Sequence, residues 1–327
     1  MNSNKKILFL SMTCQDKFFV EQTEIVKQTW AKDIIDGKYG NNVDFLSYDG
    51  WIENFKLDKE NHILHVRAED TDTYKKTYYA ISVLQKNFDY DYIFRTNTST
   101  YVNVPLAIEF INSLDDTDEV LWTSELIALT EANVPHPLDL YGRGNGLIMS
   151  KNMINIFLKE GINLLYLNMC DDIGIGNVLN SYYIKNQKNY LNHIKSFCHG
   201  WYKCISIKDS KNNHQLCQYW NENNDYEFLK KFMTIQIKQY YSRENEINNY
   251  LELHNILKDK HDDNLIETVN ANKRYALNPS VFIGSVLGYI PFKEYISCNK
   301  NELWDIEIKH KADNDECKDK FKDKLWL

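Results

Sequence analysis

The stretch Tyr92-Ile-Phe-Arg-Thr-Asn-Thr-Ser-Thr-Tyr-Val-Asn-Val104 decides the interpretation of the fold, because an apolar run leads into a small polar cluster and out again. The apolar residues before Arg95 are typical of a buried strand. Asn97, Thr98 and Ser99 form the polar junction and offer neutral oxygens without charge. A hard divalent cation prefers charged oxygen ligands, so these three residues alone predict weak metal binding.

Strand and helix patterns alternate on both sides of this junction. Short apolar runs predict strands at 7–12, 43–48, 62–66, 92–94 and 120–123, and helical spacing predicts helices at 19–30, 74–88, 104–113 and 173–183. Pro105 stands at a tolerated first-turn position, and Ser150 is placed to cap a further helix. Strands that alternate with helices predict a largely parallel α/β sheet.

The composition changes after Cys204, where asparagine and charged residues dominate and a helical pattern extends from about 226 to 257. We therefore expect two parts. Residues 1–205 form the α/β domain, and residues 206–327 form a mostly helical C-terminal extension.

Composition limits the classes of function. The chain has 327 residues, 43% of them hydrophobic, which is enough for a sizeable core. A net charge of −8 argues against nucleic acid as a partner, because phosphate contacts require a surplus of Lys and Arg. Seven scattered cysteines without a Cys-x-x-Cys pair favour reduced thiols and a cytoplasmic protein. The apolar run at the N-terminus is too short for a signal peptide.

Five segments in order resemble the fringe and β-1,3-galactosyltransferase-like group of GT-A glycosyltransferases. They are Glu24-Ile-Val-Lys-Gln-Thr-Trp30, Asp72-Thr-Tyr-Lys-Lys-Thr-Tyr78, Arg95-Thr-Asn-Thr-Ser-Thr-Tyr-Val-Asn-Val104, Tyr141-Gly-Arg-Gly-Asn-Gly-Leu-Ile-Met-Ser150 and Cys170-Asp-Asp-Ile-Gly-Ile-Gly176. The third falls where the family has a metal-binding aspartate cluster, here replaced by Asn-Thr-Ser. The resemblance covers roughly the first 200 residues and implies a GT-A-like fold, a mainly parallel sheet flanked by helices.

The resemblance also implies an inverting transfer of a sugar from a nucleotide-sugar donor to a glycan hydroxyl. Such a transfer needs a base that takes the proton of the acceptor hydroxyl. Asp172 is that base by its spacing from Gly176, and Asp171 is the second choice. An alternative from the residues alone is that both aspartates merely cap the following helix.

Other residues are expected around the donor. Thr13 and Asp49 follow the first two strands, where ligands of open α/β sheets bind. The remaining candidates are Arg95, Asn97, Ser99, Gly144, Asn145, Gly146 and Lys203, with Arg95 and Lys203 as neutralising charges for the diphosphate. Ser99 and His199 are the nominal ligands if Mn²⁺ or Mg²⁺ binds, and our hypothesis is that metal is weakly bound or dispensable.

By family analogy, the acceptor is a glycan or lipid-linked glycan in microbial surface polysaccharide synthesis. The tail at 321–327 mixes Lys with Phe, Leu and Trp, which leaves open peripheral contact with the inner face of a membrane. Two rival functions stay open. One is an inactive scaffold that binds glycan or nucleotide, and the other is a metal-dependent hydrolase built from Asp171, Asp172, His193 and His199.

Overall fold

The structure is a computed structural model that describes residues 3–51, 55–115, 119–129, 139–202, 229–238, 243–258, 264–275, 280–283 and 288–291. The strands are β1 Ile7–Met12, β2 Val43–Gly50, β3 Lys56–Asp58, β4 Ile63–Val66, β5 Tyr92–Asn97, β6 Thr100–Val102, β7 Leu121–Thr123, β8 Leu126–Leu129, β9 Asp139–Gly142, β10 Leu147–Ser150, β11 Ile194–Ser196, β12 His199–Trp201, β13 Thr234–Gln236, β14 Ser280–Ile283 and β15 Gly288–Pro291. The helices are α1 Lys17–Gln28, α2 Lys32–Ile35, α3 Thr73–Phe88, α4 Val104–Asn112, α5 Lys151–Gly161, α6 Asp171–Lys185, α7 Glu246–Leu257 and α8 Leu265–Tyr275.

An eight-stranded mixed sheet is the centre of the molecule, in the order β11-β7-β10-β5-β1-β2-β4-β3. The four strands β5, β1, β2 and β4 run parallel. The strands β10 and β3 are antiparallel to their neighbours β5 and β4. The predicted α/β class with a mainly parallel sheet is therefore confirmed.

Both faces of β1, in the middle of this sheet, are buried, which explains its continuous apolar run. Ile7 and Phe9 of β1 pack into one hydrophobic cluster, and the alternate residues Leu8 and Leu10 pack into another. Alternation along a strand sends successive side chains to opposite faces, so a continuous apolar run indicates cover on both faces. Helices α1 and α4 contribute to the first cluster, and α3, α5 and α6 to the second.

Helix starts follow ordinary capping chemistry. Asp16 caps α1, Asp72 caps α3 and Asn103 caps α4, each accepting a backbone N–H of the first turn. Ser150 caps α5 as predicted, accepting from the backbone N of Met153. Caps of this kind satisfy N–H groups that have no partner inside the helix.

The prediction of a continuous helix from 226 to 257 is wrong. Strand β13 occupies Thr234–Gln236 within that range, and α7 begins only at Glu246. β13 lies between β12 and β6 in a three-stranded sheet, and β14 pairs with β8 in a four-stranded sheet. Strand pairing with residues before 205 overrides the local helical pattern here. The division into 1–205 and 206–327 stays a prediction.

Two further observations concern the described residues alone. Cys14, Cys170 and Cys198 are free thiols. None of the helices in these ranges has the length and apolar character that crossing a membrane requires.

Candidate active site

Those of the predicted donor residues that the structure describes lie near the carboxyl ends of β1, β2 and β5, which are adjacent parallel strands. Thr13 follows β1, Asp49 is near the end of β2, and Asn97 ends β5. The Gly-rich turn at 143–146 precedes β10, the antiparallel neighbour of β5. This edge therefore collects residues from segments that are far apart in sequence.

Arg95 of β5 is fully buried and is used inside the protein. Its guanidinium forms an ion pair with Oδ2 of Asp171 at 2.5 Å and donates to the carbonyl of Gly144 at 2.5 Å. It also donates to the hydroxyl of Tyr48 at 3.3 Å. Because none of its side chain is exposed, the predicted contact between Arg95 and a diphosphate loses its physical basis.

Asp171 is the counterion of Arg95. Its Oδ2 also accepts the hydroxyl of Thr77 at 3.0 Å, and its backbone N donates to the hydroxyl of Thr73 at 3.2 Å. Both threonines belong to α3, so Asp171 fixes α6 against α3 and the sheet. A carboxylate held this way is a positioning group.

Asp172 differs from its neighbour in the same helix turn. It is half-buried and forms no ion pair among the described residues. Its carboxylate accepts the backbone N–H of Gly144 at 3.3 Å and that of Ile173 at 2.9 Å. Burial, followed by the charge of Asp171, raises the pKa of Asp172, and Arg95 opposes the shift. A raised pKa suits a carboxylate that must accept a proton near neutral pH.

The capping alternative is therefore only part of the account. Helix α6 begins at Asp171, and its N-cap residue, Cys170, makes no side-chain cap. Asp171 and Asp172 lie inside the first turn, where negative charge is favourable. Their side chains extend to Arg95 and to Gly144, so both link the helix to other segments.

The Gly-rich turn approaches Arg95 so closely that a side chain at residue 144 would displace the guanidinium. A Cβ on Gly144 would lie 2.5 Å from Nη1 of Arg95. The next residue, Asn145, is buried and donates from Nδ2 to Oε1 of Gln236 at 3.0 Å. A Cβ on Gly146 would lie 3.0 Å from the Phe197 ring. Tight packing explains these glycines, and their predicted contact with a sugar stays a prediction.

Thr13 is held by a buried lysine that the sequence did not reveal. Lys76 of α3 is fully buried, and its ammonium donates to the carbonyl of Thr13 at 2.8 Å and to Oδ1 of Asp70 at 3.0 Å. Asp70 in turn accepts the backbone N–H of Gly50 at 3.1 Å and of Gln15 at 2.6 Å. These bonds tie the end of β1 to the end of β2.

Asp49 also has a close partner. Its Oδ1 lies 2.7 Å from Nδ1 of His65, and burial raises its pKa. The ring of Trp51 contacts the His65 ring at a centroid distance of 4.9 Å, and Trp51 is 43% exposed. An exposed indole beside this pair makes the end of β2 suitable for a planar ligand. His65 and Trp51 were missed because neither residue belongs to a motif.

The junction at 97–99 is anchored mainly by its neighbours. The hydroxyl of Thr98 donates to Oε1 of Gln22 at 2.7 Å, and the carbonyl of Ser99 accepts the N–H of Ile237 at 3.1 Å. Oδ1 of Asn97 is buried without a hydrogen-bond partner in the described part of the chain. With its hydroxyl already donated to a protein atom, Thr98 has little to offer a ligand.

A divalent cation does not fit the residues at this junction. Ser99, in the turn before β6, lies opposite Ile237, whereas His199 of β12 pairs with Thr234. The two nominal ligands are therefore roughly 10 Å apart along the direction of β13 and lie on opposite sides of it. His199 instead faces Glu125, with Nε2 at 3.9 Å from Oε2, and burial lowers the pKa of His199 to about 4. No three His, Cys, Asp or Glu side chains gather as a ligand set within the described ranges.

The remaining predicted residues are Lys203, the C-terminal tail and the four residues of the hydrolase alternative. Lys203 and the tail at 321–327 lie outside the described residues. The four residues of the hydrolase interpretation do not come together, because His193 stacks on Tyr183 at 3.9 Å and contacts the carbonyl of Glu119, away from Asp171.

No protein-family model matches this chain, and no curated protein sequence matches it. Among solved structures, it is similar to a glycosyltransferase involved in glycosylation of the major capsid of PBCV-1, at 12% identity and a TM-score of 0.40, over 75% of this chain and 98% of that one. It is similar to the galactosyltransferase LgtC in complex with donor and acceptor sugar analogs, at 11% identity and a TM-score of 0.41, over 82% and 100%. It is also similar to the glycosyltransferase GlyE of Streptococcus pneumoniae TIGR4, at 10% identity and a TM-score of 0.38, over 82% and 63%.

All three structures are glycosyltransferases by their descriptions. Their TM-scores lie below 0.5, so the similarity assigns neither a family nor an activity to this chain.

Proposed function

We propose that this chain is a glycosyltransferase that moves a sugar from a nucleoside diphosphate sugar to a glycan hydroxyl with inversion, and that Asp172 is its catalytic base. One observation carries the proposal. Asp172 is a half-buried carboxylate of raised pKa, without an ion pair among the described residues, at the edge of the sheet where ligands of α/β proteins bind.

The neighbours of Asp172 support this role. Arg95 holds Asp171 in a buried ion pair, so the two adjacent carboxylates have different environments. Such a difference is how one site separates a charged positioning group from a group that exchanges protons. The N–H of Gly144 orients the carboxylate of Asp172 from the adjacent turn.

The proposed step balances without a cofactor. The acceptor oxygen attacks the anomeric carbon as Asp172 takes the hydroxyl proton, and a new C–O bond forms. The bond between that carbon and the diphosphate oxygen breaks, and the nucleoside diphosphate leaves with the electron pair. Since attack and departure occur on opposite faces, the anomeric configuration inverts.

The end of β2 is the proposed place for the nucleoside. Asp49 and the exposed indole of Trp51 offer a hydrogen-bond acceptor and a flat apolar surface, respectively. Lys203 is retained as the proposed cation for the diphosphate, because Arg95 is committed to Asp171. The acceptor is a microbial surface glycan, lipid-linked or free, and a role for peripheral membrane contact belongs to the same proposal.

The test is a panel of nucleotide sugars and glycan acceptors, scored for released nucleoside diphosphate with and without Mn²⁺. We expect Asp172→Asn to lower kcat by about 10²–10⁴-fold, the usual contribution of a general base. We expect the activity of the wild type to fall on the acid side at a pH above the ordinary range for Asp, because the base must be ionised and its pKa is raised. The anomeric configuration of the product separates inversion from retention.

Asp58→Asn is the matched control, since Asp58 is a partly exposed carboxylate on β3, the last strand of the sheet, three strands away from β1. It is expected to leave kcat unchanged. If Asp172→Asn turns over at the wild-type rate, Asp172 is not the base. Saturable binding of one donor without turnover by the wild type would instead support the inactive binding scaffold. Strict dependence on Mn²⁺ would contradict weak or dispensable metal.

A further inference from the structure

Strand β13 places a buried glutamine against the Gly-rich turn. Gln236 is 3% exposed, and its backbone pairs with Thr100 of β6 on one side and Trp201 of β12 on the other. Its side chain reaches out of this sheet, where Oε1 accepts Nδ2 of Asn145 at 3.0 Å. A residue 91 positions later in the sequence therefore holds the turn beside Asp172.

The two central residues of the turn, Gly144 and Asn145, are anchored at three points, each by a different residue, in addition to the bond with Asp172. The ends of the turn are held separately: the N–H of Arg143 donates to the carbonyl of Glu125 at 2.9 Å, and the carbonyl of Gly146 accepts the N–H of Ser124 at 2.8 Å. Arg95 donates to the carbonyl of Gly144 at 2.5 Å, and the hydroxyl of Thr96 donates to the carbonyl of Asn145 at 3.3 Å. Both residues belong to β5. Gln236 supplies the third anchor from β13 and is the one that binds the side chain of Asn145.

These anchors fix the direction of the N–H of Gly144, which meets the carboxylate of Asp172 at 3.3 Å. That distance is already at the long end for an N–H···O bond. A small displacement of the turn would break the bond, so the third anchor has more influence on Asp172 than its separation suggests.

We propose that Gln236 is a positioning residue for the catalytic base, acting through Asn145 and Gly144 on Asp172. This inference rests on the proposed function and deepens it. An N–H donated to a carboxylate favours the ionised form. Removal of the Gln236 amide would loosen the turn, weaken that bond and make Asp172 harder to ionise.

The Gln236→Met variant tests this role, because methionine keeps the length and the backbone pairing of β13 and removes the amide. We expect kcat to fall about tenfold, equivalent to the loss of roughly one hydrogen bond. We expect the acid limb of the pH profile to move to higher pH. Hydrogen–deuterium exchange of peptides spanning 143–146 should become faster, with exchange in β2 unchanged.

Gln236→Glu is the rescue variant, since a carboxylate keeps an acceptor oxygen for Asn145. It should restore slow exchange at 143–146, and exchange is its readout, because the added carboxylate itself raises the pKa of Asp172. Gln85→Met is the matched control, because Gln85 is a buried glutamine of α3. Its amide N–H group donates to Oδ1 of Asp89 and to the carbonyl of Tyr90, away from the Gly-rich turn. It should change neither the pH profile nor exchange at the turn.

Asn145→Ala removes the same bond from the other side and serves if Gln236→Met fails to fold. In the double variant, the two effects on kcat should be far from additive, because both substitutions break one interaction. Additive effects would overturn the inference.

The exchange measurement separates this inference from the proposed function. If the wild type releases no nucleoside diphosphate, the proposed function fails, and exchange at 143–146 alone decides the anchoring by Gln236. Faster exchange in Gln236→Met supports that anchoring, and unchanged exchange overturns it. With an active wild type, an acid limb that stays in place overturns the inference even if kcat falls.

Discussion

The first turn of α6 and the junction at 97–99 lie at the same edge of the sheet, yet they are built differently. The α6 side holds charges: Arg95 and Asp171 form a buried ion pair, and Asp172 is adjacent to them. The junction side holds neutral groups, with Thr98 bonded to Gln22 and the Ser99 carbonyl bonded to Ile237. Ionisable chemistry is therefore concentrated on one side, and the other side is mainly framework.

The junction side nevertheless has a buried charge, the carboxylate of Glu246, which is linked to Thr98 through Gln22. Gln22, which accepts the Thr98 hydroxyl, also donates from Nε2 to Oε2 of Glu246 at 2.9 Å. Arg243 forms an ion pair with the same carboxylate, with Nε at 2.9 Å from Oε1. Glu246 is the first residue of α7. The same helix contains Tyr250, whose hydroxyl accepts the indole N–H of Trp30. Arg243 and the first residues of α7 therefore stabilise the junction, whereas α3 and the Gly-rich turn stabilise the α6 side.

The largest expected effect comes from breaking the Arg95–Asp171 pair. Arg95→Met leaves the buried carboxylate of Asp171 without its cation, so we expect the free energy of unfolding to fall by about 3–5 kcal/mol at pH 7. Urea denaturation measures the change. The double variant Arg95→Met with Asp171→Leu should recover most of the loss, because an apolar pair replaces an ionic one.

Lys151→Met is the control for that experiment. Lys151 and Asp89 form an ion pair at 2.7 Å whose side chains are 43% and 68% exposed. Solvent screens such a pair, so its loss should cost under about 1 kcal/mol. If Arg95→Met costs no more than Lys151→Met, the buried pair does not hold the α6 side together.

Substitution of Asp172 should raise the free energy of unfolding, whereas substitution of Arg95 lowers it. The pKa of Asp172 is raised in the folded protein, so the folded state binds the proton more tightly than the unfolded state does. Its ionisation therefore destabilises the fold as pH rises above the ordinary pKa of Asp. We expect Asp172→Asn to raise the free energy of unfolding at pH 7, with the gain disappearing as the pH falls below that ordinary pKa.

Urea denaturation of the wild type and of Asp172→Asn between pH 3 and pH 8 measures this gain. Asp171→Asn is the contrasting variant, and it should lower stability at pH 7 because it removes the partner of Arg95. A loss of stability in Asp172→Asn at pH 7 would mean that Asp172 is also a framework residue. A gain together with lost activity would be the trade-off expected of a functional carboxylate.

The fold was predictable from the sequence where apolar runs are long and flanked by polar turns. β1 has the predicted bounds at Ile7–Met12, and α3 begins one residue before the predicted start, at Thr73. Such segments are decided by local pattern, since the apolar residues alone fix the element and its buried faces. The order of the strands in the sheet depends on contacts between distant segments and was not predicted.

β13 shows why pattern failed beyond residue 205. Its residues, Thr234–Gln236, are flanked by a helical pattern, yet they are buried between β12 and β6. Backbone hydrogen bonds to two distant strands decide the conformation, and the pattern of apolar residues around 234–236 does not indicate them. The role of Gln236 was missed for the same reason, because its partner Asn145 is 91 residues away.

The sequence motifs identified segments that meet in the fold, but not the contacts between their side chains. Arg95, Gly144 and Asp171 of three motifs are in contact, but the sequence could not show that Arg95 forms a buried ion pair with Asp171. Lys76 was missed because a lysine within an amphipathic helix is ordinarily exposed. Its burial depends on Asp70 and the end of β1, which approach it only in the folded chain.

The smallest expected effects come from a matched pair of threonine substitutions, one on each side of the edge. Thr98 donates to the neutral Oε1 of Gln22 at 2.7 Å. Thr77 donates to the carboxylate of Asp171 at 3.0 Å and also shares a hydrogen bond with the hydroxyl of Tyr48 at 2.7 Å, so its substitution removes both contacts. Thr98→Val should lower the free energy of unfolding by about 1 kcal/mol, and Thr77→Val by about 1.5–3 kcal/mol, because a charged acceptor loses more. Urea denaturation of both variants under one set of conditions gives the ratio. Equal losses would mean that charge on the α6 side adds nothing to its stability, and a larger loss at Thr98 would reverse the assignment of framework and charged regions.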